Sequence, residues 1–161
     1  MKRRSLAWRW SRAAAIAAAS LLLLAGCGSG TRSPTLSSLP LVHGARVVAQ
    51  VRRCDPGARP YCALELVVAD PLYSSSRGFV LAERNLLRAH GWTGASPQTS
   101  DELADESPGH KFRVTYATAY GDLKGIDLGW IERTDLIQRS LSSQLFAGTP
   151  AMSAELQIGS Q

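Results

Sequence analysis

Ala45-Arg46-Val47-Val48-Ala49-Gln50-Val51-Arg52 and Ala63-Leu64-Glu65-Leu66-Val67-Val68-Ala69 are two β-rich runs on either side of a turn-rich stretch, Asp55-Pro56-Gly57-Ala58-Arg59-Pro60-Tyr61. Branched residues and alternation suit strands, and a proline- and glycine-containing connection suits a hairpin. Val47, Ala49 and Val51 are expected to share one face. Cys54 and Cys62 flank the turn, at the mouth of the hairpin.

Working outward toward the C-terminus, Val80, Leu81, Leu86 and Leu87 recur at helical spacing and predict a helix over Arg77–His90. Gly91 stands where a left-handed cap would end it, and Ser74-Ser75-Ser76 supplies loop and cap material. Thr99 and Glu102 have capping-box spacing, which predicts a short helix over Thr99–Glu106, stopped by Pro108 and Gly109. Phe112, Val114, Tyr116 and Thr118 alternate with polar or small residues as a half-buried strand. Ile126–Ile131 is a weaker strand candidate, entered through the Gly121–Gly125 turn, with Gly129 counting against it. A second main helix starts near Thr134 or Asp135: Asp135 and Gln138 again have capping-box spacing, and Leu136, Ile137, Leu141 and Leu145 continue it up to Gly148 and Pro150. Met152, Ala154, Leu156 and Ile158 alternate with Ser153, Glu155 and Gln157, as expected of an edge strand with a polar outer face. The order predicts an α+β fold: one two-layer sandwich, a mixed or antiparallel sheet with two main helices on one face.

Toward the N-terminus the composition changes twice. Residues 28–40 are rich in Gly, Ser, Thr and Pro, which suits a flexible tether holding a domain roughly 20 Å from its anchor. Before that, Lys2, Arg3, Arg4, Arg9 and Arg12 form a basic region, Ala13–Leu24 is continuously low in polarity, and Leu24-Ala25-Gly26-Cys27 follows. This leader resembles that of the bacterial lipoprotein class. The resemblance covers residues 1–30 and implies alkylation of the Cys27 thiol with diacylglycerol, cleavage before Cys27, further acylation of the new N-terminus with palmitate, and attachment to the outer side of the cytoplasmic membrane. Lys2-Arg3-Arg4-Ser5-Leu6-Ala7 also resembles a twin-arginine export signal. The implied organisation is a signal peptide at 1–26, a lipid-attached tether at 27–40 and a single α+β domain at 41–161.

Two properties of the chain change once that leader is set aside. Of the 18 basic residues five lie in it, so the 13 that remain equal the 13 acidic ones, and the high overall pI offers nothing to nucleic acid. With Cys27 acylated, Cys54 and Cys62 are left as an even pair, expected to form a structural disulfide in an oxidising compartment. A zinc site would need more ligands than two cysteines and no paired histidines.

No residue pattern predicts catalysis. Gly-x-Ser-x-Gly and, after the leader, Ser-x-x-Lys are missing from the sequence. His43 borders the tether, His90 ends a helix where its charged form suits the dipole, and His110 follows a Ser-Pro-Gly turn. Asp101, Glu102, Asp105 and Glu106 would stack at i,i+4 on a helix, which reads as a solvated acidic face in preference to a metal site. Asp122 and Asp127 lie in glycine-containing turns. Trp92 is expected to close a helix end against the core, whereas Trp130 and Tyr120 mark the surface first expected to meet a partner. The expectation is a lipid-anchored binding or accessory protein with no cofactor, its partners the membrane through Cys27 and an envelope protein; the alternative is a small hydrolase using His90 or His110 with a carboxylate.

Overall fold

A computed structural model describes residues 33–55, 61–123 and 133–159. Its strands are β1 (Arg46–Asp55), β2 (Tyr61–Ala69), β3 (Thr93–Gln98), β4 (Glu102–Glu106), β5 (Phe112–Thr118) and β6 (Ala151–Ile158). Helices α1 (Ser76–Ala89), α2 (Ala119–Leu123) and α3 (Asp135–Phe146) complete the fold. All strands join one sheet in the order β1-β2-β6-β5-β4-β3, and every neighbouring pair is antiparallel. The class is α+β.

The hairpin forms as its sequence predicts. Cys54 lies directly opposite Cys62 across β1 and β2, and their sulfurs are bonded. One feature of β1 is invisible in its alternation. The register slips between Val47 and Ala49, so Val48 bulges out and the strand changes face. Val47 therefore packs with Val68, whereas Ala49 and Val51 pack on the opposite side with Val67, and the three do not share a face.

That pleat separates two cores. Leu64, Leu66 and Val68 of β2, with Met152, Ala154 and Leu156 of β6 and Val114 and Tyr116 of β5, meet Phe79, Val80 and Leu87 of α1. Val67, Ala69 and Ala151, from the alternate positions, meet Ala119 of α2 and Ile137 and Leu141 of α3. The main helices thus cover opposite faces of the sheet, not one face. The physical reason is that β2, Glu65 apart, is apolar on both sides and offers a second surface to bury. For the same reason β6 is no edge: it lies between β2 and β5 and is buried from Ala151 to Gln157.

Helix ends follow their local signals. Ser75 caps α1 by accepting from the Gly78 N–H at 3.1 Å, and Gly91 leaves the helix at φ 79°. Trp92 then packs into the α1-side core, its N–H bonded to Leu87 O. Thr134, not Asp135, caps α3, accepting from the Ile137 N–H, while Gln138 reaches back to Arg133 O. The expected helix over Thr99–Glu106 is a hairpin turn running into β4. Thr99 Oγ1 does accept from the Glu102 N–H at 3.0 Å, but the Thr99 N–H bonds Glu102 O and closes a turn between strands.

Order also reaches further toward the N-terminus than residue 41. Pro34 is buried, Leu36–Ser38 forms one 3-10 turn, and Leu39 enters the α1-side core. Among the described residues no helix is long and apolar enough to cross a membrane.

Candidate functional site

The most polar buried place in the described fold lies beneath α2 and α3. The β-pleat that turns Leu64, Leu66 and Leu156 toward α1 turns Glu65, Ser153 and Glu155 the other way, and all three are fully buried. Glu65 and Glu155 face one another directly across β2 and β6, a like-charge pairing that is unfavourable unless a cation intervenes. Arg133, just before α3, is that cation. Its side chain is only 8% exposed, with Nη1 3.6 Å from Glu155 Oε2 and Nε 3.5 Å from Asp122 Oδ1 on α2. Arg53 approaches Glu65 from the rim at 3.8 Å, the Thr134 N–H donates to Glu65 Oε2 at 3.4 Å, and Gln157 Nε2 donates to Glu155 Oε1 at 2.6 Å.

Desolvation dominates this cluster. It raises the pKa of Glu65, opposed by the Thr134 N–H, Arg133 and Arg53. It likewise raises that of Asp122, opposed by Arg133 and by the nearby Ser153 hydroxyl. The Arg133 nitrogens and Ser153 Oγ are buried without reaching hydrogen-bond geometry, Arg133 acting through its ion pairs. Such an array can hold protons and fasten the helices to the sheet by charge. Neither Glu65 nor Arg133 stood out in the sequence. The available signal was a lone glutamate inside an otherwise apolar strand, which a buried partner must explain.

A second buried carboxylate belongs to the other face. Glu83 of α1 accepts from the Val42 N–H at 3.1 Å, and burial pushes its pKa up to about 7. Nearby, Asp105 accepts from Arg88 Nε at 2.7 Å and from the Tyr116 hydroxyl, whose pKa is raised by burial and by that bond.

Among the residues singled out from sequence, His90 is exposed at the C-cap of α1. His110, 64% exposed, has Nδ1 2.6 Å from Glu106 Oε2, and Glu106 also lies 3.7 Å from Arg113 Nη1. The two histidine-bearing turns adjoin, since a Cβ on Gly91 would meet Pro108 Cγ at 3.4 Å. The Ser107 hydroxyl is turned to the Phe112 N–H, which it accepts at 2.9 Å. The acidic run does not form a helical stack. Asp105 points into the α1 layer and Glu106 toward His110, because strand alternation sends them to opposite faces.

Tyr120 is exposed on α2. Cys27, Trp130, Asp127 and the Ile126–Ile131 strand candidate lie outside the described residues, so Tyr120 and Trp130 cannot be placed together. Comparisons with protein-family models, curated proteins and solved structures find no match to this chain.

Proposed function

We propose that the chain is a lipid-anchored protein on the outer side of the cytoplasmic membrane, its domain a non-enzymatic binding or accessory module for an envelope protein. The leader ending at Cys27 supports the address. The observation that carries the binding role is where exposed apolar side chains fall. Of seven large ones among the described residues, Tyr120, Leu123, Leu136, Leu145 and Phe146 lie on α2 and α3. Exposed apolar residues gathered on one layer are a common mark of an interaction surface.

Crosslinking the lipidated protein in living cells, followed by mass spectrometry of what is attached, tests this role. One dominant envelope protein, lost in Cys27→Ala and in Tyr120→Ser/Phe146→Ser, is the expected result. Crosslinks unaffected by the helix-layer substitutions refute that surface. The hydrolase alternative draws on one observation, the His110–Glu106 contact at 2.6 Å. Ester or amide turnover abolished by Glu106→Gln and by His110→Ala would replace the binding role with it.

A further inference from the structure

The sheet is electrically lopsided from one edge to the other. β1, the outermost strand on one side among the described residues, carries Arg46, Arg52 and Arg53 against one acid, Asp55; Arg53 faces the buried Glu65, while Arg46 and Arg52 are exposed. The opposite end, Thr93–Glu106, contains no basic residue; its partly exposed acids are Asp101, Glu102 and Glu106, the last paired with Arg113, whereas Asp105 is buried against Arg88. The first described residues lie at the basic edge, since Pro34 O lies 3.5 Å from Arg52 Nη2. Between Cys27 and Ser33 stand only residues 28–32, a length of chain that reaches at most about 20 Å even when fully extended.

We infer that the β1 edge is the side of the domain that faces the bilayer, with Arg46 and Arg52 meeting anionic lipid headgroups. The inference rests on the lipid-anchored reading above. A short connection that joins the domain beside Arg52 brings this edge to the surface before any other. Opposite charge on the far edge disfavours the inverted orientation next to anionic lipid. The α2–α3 layer stays clear of the membrane in this arrangement, flanking the sheet instead of lying beneath it.

Two exposed arginines shift the contact equilibrium by about 30-fold, at roughly 1 kcal/mol for each basic residue near an anionic surface. Screening by salt diminishes that effect. The test uses the full lipidated protein in vesicles of phosphatidylcholine, alone or with about a third phosphatidylglycerol, and reads amide hydrogen exchange by mass spectrometry. Slower exchange across Arg46–Asp55 only in the anionic vesicles, reversed by high salt and by Arg46→Gln/Arg52→Gln, is the expected result. Unchanged melting of that double variant shows that the fold is intact. Equal exchange in the two vesicles, or protection of Thr93–Gln98 or α1 in place of β1, overturns the inference while leaving the anchor standing. A mature N-terminal peptide whose mass carries no acyl chain on Cys27 overturns the anchor and the orientation with it.

Discussion

The Glu83 carboxylate holds the Val42 N–H at 3.1 Å from inside the apolar layer beneath α1, which ties the segment leading into β1 to the helix. Its pKa is raised by burial to about 7. A raised carboxylate favours the folded state when protonated. This contribution is full below the unfolded value near 4.5 and is lost as pH rises through 7. Glu83→Gln keeps an acceptor for Val42 without the charge. Its stability relative to the parent should therefore be near zero at pH 4 and grow to on the order of 3 kcal/mol by pH 8. Urea unfolding across that range measures it, and a difference that does not change with pH refutes it.

Removing Arg133 leaves Asp122 and Glu155 without their shared cation in a buried setting. Arg133→Met should destabilise the domain at pH 7 by about 3–5 kcal/mol. The loss should shrink toward pH 4 as the carboxylates take up protons, and Glu155→Gln in the same chain should recover part of it. A loss of equal size at both pH values would show that packing, not charge, is what Arg133 supplies.

The Cys54–Cys62 bond closes a short loop between adjacent strands. Cys54→Ser should lower stability by about 2–3 kcal/mol on the chain-entropy estimate. It should also expose one thiol at Cys62 to alkylation. Labelling of Cys62 in the unreduced parent would contradict the bridge.

Phe146 is 88% exposed at the end of α3, whereas Leu141, on another side of the same helix, is fully buried against the sheet. Phe146→Ser should change stability by less than about 0.5 kcal/mol. Leu141→Ala should cost about 2–5 kcal/mol through the cavity it leaves. Thermal unfolding of the two variants separates them, and comparable losses would mean that Phe146 belongs to the core.

The cysteine hairpin, α1, α3 and the existence of β5 were legible because each is specified by its own residues: a turn between branched runs, apolar positions at helical spacing, a serine cap, a glycine exit. β5 is not the expected half-buried strand, since Val114–Thr118 is buried on both faces. What escaped detection depends on neighbours. Ser153, Glu155 and Gln157 alternate in the same way whether their face is wet or covered by helices, so β6 looked like an edge. Thr99 makes the same side-chain bond to the residue three ahead in a hairpin turn as in a helix cap. The slip at Val48 leaves no mark on composition. Of the buried charge cluster only Asp122 has a local reading, as a turn residue, because Glu65, the Asp122–Arg133 stretch and Glu155 lie in separate parts of the chain and meet only once the α2–α3 face is packed.

The central place of β6 governs when this protein can become itself. β1 and β2 on one side, and β3, β4 and β5 on the other, have no ladder between them until residues 151–158 arrive. A chain threaded through a membrane from its N-terminus would remain two unjoined half-sheets, open to proteases and chaperones, until its final strand had crossed. Loss of that strand would split the domain down its middle, where loss of an edge would merely trim it.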